Sequence, residues 1–160
     1  DMYKHKLKLI EKGAKRLGIN IIETCLRDGA SADKELPSAD RILCDVPCSG
    51  LGVLSRKPEI RYKDDLIDTD LADIQYKILC ESAKYLKKGG KLVYSTCTLN
   101  PQENNKNTAK FLAEHNDFEG VELELPPELK RAFDEKPYEI TLMPHTFDGD
   151  GFYIAVLTRR

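Results

Sequence analysis

The sequence lacks several features that would assign it to a special class of protein. Its 160 residues contain no tryptophan and no CxxC pair, and the formal net charge is only −2. No apolar run approaches the roughly 20 residues that span a bilayer, and the N-terminal segment lacks the small-residue cleavage site of a signal peptide. We therefore expect one cytoplasmic domain with no membrane contact and no metal site.

The five cysteines do not form the pattern of a disulfide framework. Their number is odd, and their spacing fits neither paired bridges nor a structural zinc site. Cys25, Cys44 and Cys80 are typical of small, buried side chains. Cys48 and Cys97 differ because each comes where a predicted strand gives way to a loop. These two thiols are therefore candidates for a catalytic role.

Helical and strand-like patterns alternate through most of the chain and then give way to strands. The predicted helices cover residues 3–17, 71–86 and 101–115, and the predicted strands cover residues 19–26, 40–46, 91–96, 118–125 and 151–159. This order predicts an α/β domain with a mostly parallel sheet and an antiparallel pair at its C-terminal end.

Several polar residues come just after predicted strands, namely Asp28, the Asp45–Cys48 segment and Cys97. Ligands of α/β sheets bind beyond the carboxyl ends of the strands, so we expect these residues to lie along one edge. The run SRKPEIRYK follows directly and carries four bases against one acid, which makes it a candidate for phosphate binding. A first strand with a Gly-rich nucleotide loop is absent, as though the chain were cut before Asp1.

Two motifs carry a resemblance to a known family. DVPCSGLGVLSRKPEIRY (residues 45–62) and GGKLVYSTCTLNPQEN (89–104) resemble the Sun/Fmu-type cytosine-C5 methyltransferases of small-subunit (16S) ribosomal RNA, and LMPHTFDGDGFYIAVLTR is similar to that family's last motif. The resemblance implies a partial Rossmann-like class I fold, S-adenosylmethionine as cofactor and ribosomal RNA as partner. It also implies that residues 1–160 are a truncated catalytic domain, without the first strand, the methionine-binding loop and an N-terminal RNA-binding domain.

The resemblance also implies roles for individual residues. Cys97 matches the nucleophile, and Cys48 matches the second cysteine, which helps to release the product. Asp45 matches an acid beside the methyl donor and the target base. Asp1 matches the acid that binds the ribose hydroxyls, and Asp28 the acid near the adenine. The residue types suit this chemistry, because a thiolate that adds to C6 of cytosine makes C5 nucleophilic toward a methyl sulfonium.

Two other functions stay open at the level of sequence. In a DNA cytosine methyltransferase the Pro-Cys cysteine is the nucleophile, although the STCT motif after the next strand disfavours this. Alternatively, the truncated chain is a non-catalytic fold unit or an RNA-binding module, because part of the expected cofactor cradle is absent. A missing central strand also predicts self-association of the chain through an open sheet edge.

Overall fold

The computed structural model describes residues 1–31, 36–62, 69–127, 129 and 136–160. No helix in these ranges is long and apolar enough to cross a bilayer. The elements, in chain order, are α1 (Lys4–Arg16), β1 (Ala39–Asp45), a 3₁₀ helix (Pro58–Tyr62), α2 (Thr69–Ala83), β2 (Leu86–Thr96), α3 (Asn105–Glu114), β3 (Phe118–Gly120), β4 (Glu139–Leu142), α4 (Pro144–Phe147) and β5 (Phe152–Arg159).

The strands form one mixed sheet in which β1 lies at the edge and pairs in parallel with β2. β5 runs antiparallel to β2, and β3 and β4 pair antiparallel with different parts of β5 on its other side. The predicted α/β class is confirmed. Among the described strands, parallel pairing is confined to β1 and β2, whereas we expected most of the sheet to be parallel.

The register of β1 and β2 brings the carboxyl ends of the two strands level. Asp45, the last residue of β1, lies opposite Ser95, and Cys44 lies opposite Tyr94. The segments that follow these strands therefore leave the sheet side by side, at the edge where ligands of α/β sheets bind.

The hydrophobic core packs between the sheet and the helices α2 and α3. Every second residue along most of β5 is buried, as in a strand with one face against a core. The fully buried apolar side chains of this cluster include Leu79, Leu92, Tyr94, Phe111, Ala155 and Leu157. Burial of a large apolar side chain stabilises a fold by about 1.5–3 kcal/mol, so this cluster anchors β2 and β5 as the centre of the sheet.

The second helix is shorter than its apolar spacing predicted. α2 ends at Ala83, whereas we expected it to continue to Lys87 and the glycines that follow. Leu86 instead joins the sheet opposite Ala39, with only 1% of its side chain exposed. Lys87 then forms an ion pair with Asp40 of β1, at 3.0 Å. Sheet pairing and burial of Leu86 therefore override the helix-ending signal.

The third helix starts later than its sequence signals predicted. α3 begins at Asn105, whereas we expected Asn100 to cap it. Asn100 does cap a preceding turn, since its side-chain oxygen accepts a hydrogen bond from Gln102 N–H at 3.1 Å. This turn carries Glu103, whose side chain enters the site described below.

The residues between α1 and β1 do not form the strand that their apolar alternation predicted. Residues 19–26 have no strand assignment, and no described strand lies beside them to share backbone hydrogen bonds. Ile21 is 87% exposed, and Leu43 on β1, which we expected to be buried, is 71% exposed. The N-terminal segment and the outer side of β1 thus present apolar side chains to solvent.

Candidate active site

Two loops leave the paired ends of β1 and β2 and lie against each other. We name residues 46–57 the Cys48 loop and residues 97–104 the Cys97 loop. The sulfur atoms of Cys48 and Cys97 are 3.0 Å apart, within hydrogen-bond distance, and both thiols are free and half-buried. The structure therefore brings together the two cysteines that the sequence singled out.

Hydrogen bonds join the two loops along their length. They run from Val46 N–H to Ser95 O (3.3 Å), from Gly52 N–H to Cys97 O (3.0 Å) and between the Ser49 and Thr98 hydroxyls (2.7 Å). One of these bonds uses the backbone carbonyl of Cys97 itself, and the hydroxyl bond joins the residues that directly follow the two cysteines. The separation of the thiols is therefore set by the chain itself.

A third segment, just before β5, crosses the Cys48 loop at a pair of glycines. Gly151 N–H donates to Gly52 O at 2.7 Å. A Cβ atom on Gly52 would overlap the carbonyl oxygen of Gly151, and one on Gly151 would lie 2.8 Å from the Gly52 Cα. Only glycine allows the two backbones to approach so closely. The C-terminal motif thereby supports the Cys48 loop.

The two thiols differ in their electrostatic environment. Burial, above all, raises the pKa of the Cys48 thiol to about 12, with further upward contributions from its hydrogen bond to Cys97 and from negative charge on Cys97. Cys48 is therefore a protonated S–H group at neutral pH. It is placed to donate that proton in a hydrogen bond to the Cys97 sulfur.

Asp45 lies at the mouth of the site with its side chain exposed. The Ser95 hydroxyl donates to Asp45 Oδ1 at 3.0 Å. In the part of the chain that the structure describes, this is the one hydrogen bond to the carboxylate. The other oxygen is therefore open to a ligand from solvent.

The remaining predicted acids, Asp1 and Asp28, lie near each other on the N-terminal segment. Arg27 N–H, next to Asp28, donates to Asp1 O at 3.1 Å. Asp28 is exposed, whereas the Asp1 side chain is 31% exposed and forms an ion pair with Lys6 at 3.8 Å. Across the described residues, no hydrogen bond or ion pair links either acid to Asp45 or the thiols. The same ranges contain no cluster of three histidine, cysteine or acidic residues suited to a metal ion.

The basic run after the Cys48 loop is divided between two situations. Arg56 forms an ion pair with Asp150 at 3.0 Å, which ties it to the segment before β5. Lys57 and Arg61 are exposed, and Tyr62 is 86% exposed. Lys63 lies outside the described residues. The basic run therefore presents Lys57, Arg61 and an aromatic ring to solvent.

Residues 1–158 match the family model described as 16S rRNA methyltransferase RsmB/F. The chain belongs to this family. The membership predicted from the two cysteine motifs is thus confirmed. The chain is 42% identical over 166 residues to the probable ribosomal RNA small subunit methyltransferase B of Bacillus subtilis, and 35% identical over 164 residues to that of a Synechocystis species. It spans only 37% and 36% of these relatives' lengths, although the matches cover 100% and 99% of this chain.

Solved structures share the fold of this RsmB/F family member. The crystal structure of PH0851 superposes with a TM-score of 0.90 at 30% identity, covering 99% of this chain and 36% of that chain. NSun6 from Pyrococcus horikoshii, solved with SFG, superposes with a TM-score of 0.85 at 29% identity, covering 99% of this chain and 40% of its own. The predicted fold, a partial class I methyltransferase sheet, therefore agrees with these neighbours.

Sequence reasoning missed two buried polar residues of this site. The sequence predicts Glu103 as the partner in a helix cap, and Gln75 attracts no notice within an amphipathic helix. Their side chains are 1% and 0% exposed, and they hydrogen-bond to each other between the two cysteine loops. Spacing gives little signal here, because an acid near a helix start is ordinarily a cap.

Proposed function

We propose that the chain forms the catalytic part of an S-adenosylmethionine-dependent methyltransferase that modifies C5 of a cytosine in small-subunit ribosomal RNA. The observation that carries the proposal is the 3.0 Å separation of the Cys48 and Cys97 sulfurs, beside the exposed Asp45. The names of the curated relatives support the RNA substrate. SFG, an S-adenosylmethionine analogue, in NSun6 from P. horikoshii supports the cofactor.

The exposed carboxylates of this chain suit the cofactor. A carboxylate accepts hydrogen bonds from hydroxyl groups and amines; Asp28 and Asp45 are exposed, and the Asp1 side chain, which pairs with Lys6, is 31% exposed. We assign Asp1 to the ribose hydroxyls and Asp28 to the neighbourhood of the adenine. Asp45 is then assigned a place beside the methyl donor and the target base. When bound, S-adenosylmethionine supplies an electrophilic methyl group.

We assign the attack on the base to Cys97. Its thiolate forms a bond to C6 of cytosine, and the ring electrons shift so that C5 becomes nucleophilic and accepts the methyl group. Asp45 holds the N3/N4 edge of the base, and a proton shared between its carboxyl group and N3 neutralises the negative charge that develops on the ring. The role of Cys97 is thus to convert an unreactive carbon into a nucleophile.

We assign product release to Cys48. After methyl transfer a general base removes the C5 proton, the S–C6 bond breaks, and its electron pair returns to the Cys97 sulfur. Cys48 stays protonated because its pKa is raised to about 12 by burial, so its S–H group can stabilise the departing thiolate. Loss of Cys48 therefore slows elimination more than addition.

The basic face beside the site is the proposed contact for RNA. Lys57 and Arg61 suit phosphate groups, and the ring of Tyr62 suits stacking on an unpaired base. Arg56 has a different role in this proposal, because its ion pair with Asp150 steadies the loop.

The assignment is tested by removing each thiol in the full-length protein. We expect Cys97→Ala to abolish both methyl transfer from labelled S-adenosylmethionine and the denaturation-resistant link to substrate RNA. Cys48→Ala should instead accumulate that link, because addition proceeds while elimination fails. Cys25→Ala, at an exposed cysteine remote from the loops in sequence, is the matched control and should behave as the wild type.

The opposite pattern, with the link in Cys97→Ala only, would reverse the roles and favour the mechanism of DNA cytosine methyltransferases. Full activity in both variants would refute thiol catalysis. If the wild-type protein binds substrate RNA but shows no S-adenosylmethionine binding by calorimetry, an RNA-binding module is the better description.

A further inference from the structure

A buried carboxylate lies between the Cys48 loop and the Cys97 loop. Glu103 is 1% exposed and accepts four hydrogen bonds. Its Oε2 atom accepts from Ser49 N–H (2.9 Å) and the Gln75 amide (2.7 Å), and its Oε1 atom accepts from the Ser49 hydroxyl (2.6 Å) and the Asn100 amide (3.0 Å). A carboxylate has about four acceptor positions, so Glu103 has none left for a substrate.

The donors to Glu103 surround Cys48 on both sides. Ser49 follows Cys48 directly and donates both its N–H and its hydroxyl. The Gln75 amide that donates to Glu103 also donates to Pro47 O, just before Cys48, at 2.8 Å. The peptide units that flank Cys48 are therefore held by one pair of buried side chains.

Glu103 itself belongs to the Cys97 loop and is held there by two hydrogen bonds. Asn100 belongs to the Cys97 loop, and Tyr94 at the end of β2 donates to the backbone carbonyl of Glu103 at 2.6 Å. Glu103 thus connects the segment that carries one thiol to the segment that carries the other. A helix cap alone does not require this set of donors.

We propose that Glu103, with Gln75 as its partner, is a positioning residue that places the Cys48 thiol against Cys97. Through Cys48 it controls the release of the methylated base, a consequence that rests on the function proposed above. Glu103 does not touch the substrate in this proposal, and it acts only through the backbone on either side of Cys48.

The first test measures thiol placement without any RNA or cofactor. Diamide removes two electrons and two protons from a pair of thiols and leaves a disulfide between them. In the full-length protein we expect diamide to couple Cys48 to Cys97 rapidly. The rate of coupling is measured by mass spectrometry of the linked peptides. Glu103→Gln puts an NH₂ donor among groups that are themselves donors, so hydrogen bonds to a charged carboxylate are lost. Because such bonds are strong, we expect their loss to misplace the Cys48 thiol and to slow disulfide coupling about tenfold.

The matched control is the same substitution at another buried acid. Glu139 is 4% exposed and accepts from the Tyr153 hydroxyl at 2.6 Å. Glu139→Gln should therefore lose comparable stability, measured by thermal unfolding, while coupling proceeds at the wild-type rate. Coupling in Glu103→Gln at or above the wild-type rate, or equally slow coupling in both variants, would overturn the proposal.

A milder variant keeps the test decisive if Glu103→Gln does not fold. Ser49→Ala removes one donor to Glu103 together with the hydroxyl bond to Thr98, and leaves the backbone N–H bond in place. We expect this variant to fold and to couple its thiols about threefold more slowly, in line with loss of one of four bonds. An unchanged coupling rate in a folded Ser49→Ala protein would also count against the positioning role.

The second test asks whether placement controls release. With S-adenosylmethionine and substrate RNA, Glu103→Gln should transfer methyl in a single turnover at close to the wild-type rate but accumulate the covalent RNA link and turn over slowly. Glu139→Gln should not accumulate the link. If Glu103→Gln couples its thiols slowly but does not accumulate the covalent RNA link, Glu103 places the thiol but does not control product release. If no variant forms a link, including Cys48→Ala, the proposed function fails while the coupling result stands.

Discussion

The cysteine end of the sheet, which comprises the Cys48 loop and the Cys97 loop, differs from the N-terminal segment (residues 1–31) in how much of it is packed and hydrogen-bonded. At the cysteine end, buried polar groups are paired within the chain, and three segments cross closely enough to require glycine. On the N-terminal segment, the one buried side chain of α1 is Leu7, and residues such as Ile21 face solvent. The thiols of Cys48 and Cys97 are therefore fixed by hydrogen bonds between segments far apart in sequence, whereas Asp1 and Asp28 lie on a segment with little packing of its own.

The sharpest way to test this contrast is to disturb the glycine crossing. In Gly52→Ala the new methyl group collides with the carbonyl of Gly151, which is backbone and has little room to move. We expect the free energy of unfolding in urea to fall by about 1–3 kcal/mol or more, as for overpacked cores. We also expect diamide coupling of Cys48 to Cys97 to slow.

A Gly52→Ala protein with wild-type stability and wild-type coupling would show that the crossing is loose. Gly151→Ala offers an independent check from the other side of the same contact. Its added methyl group would lie within 2.9 Å of the Leu99 side chain as well as close to Gly52.

An effect no larger than that of Gly52→Ala, and present only at alkaline pH, is expected from the buried thiol of Cys44. Burial raises the pKa of Cys44 from 9.0 to about 11. A pKa raised by folding contributes stability that is complete below pH 9 and is lost as the pH rises through about 11. At 1.36 kcal/mol per unit, the loss from Cys44 is about 2–3 kcal/mol.

The measurement is the free energy of unfolding in urea between pH 8 and pH 11, the range over which the Cys44 thiol loses its proton. Cys44→Ala should lose less stability over this range than the wild type, whatever its stability at pH 8. Cys25→Ala, at an exposed cysteine of the N-terminal segment, is the control and should lose as much as the wild type. Parallel curves for Cys44→Ala and the wild type would contradict the assignment.

The smallest expected effect has the opposite sign and lies in the N-terminal segment. Gly13 lies in the last turn of α1, and a Cβ atom there would meet nothing within 4 Å. Gly13→Ala should therefore stabilise the protein by about 0.5–1 kcal/mol, the helix preference of alanine over glycine. Urea unfolding of Gly13→Ala and Gly52→Ala in parallel shows whether a glycine-to-alanine substitution changes the free energy of unfolding with opposite sign in the two regions. Destabilisation by Gly13→Ala would mean that α1 packs more tightly than the exposed surface indicates.

Several features of the fold could be predicted because they depend on short stretches of sequence. The buried run before Asp45 and the one before Cys97 both became strands, with their carboxyl ends at one edge as expected. The strand expected at residues 19–26 did not form, because a strand requires a partner and alternation within one segment cannot supply it. Helix ends were predicted less well, since Leu86 gains more from burial in the sheet than from a longer α2.

What the sequence by itself determined is the family of this protein, through two cysteines that follow two strands, each within a motif specific enough to indicate it. What only the tertiary structure decided is how those thiols are held. The bonds from Glu103 to Ser49 and Gln75 join residues 54 and 28 positions apart. No local pattern encodes such distant pairs, because they arise only when the sheet brings the two loops together and burial makes every unpaired polar group costly.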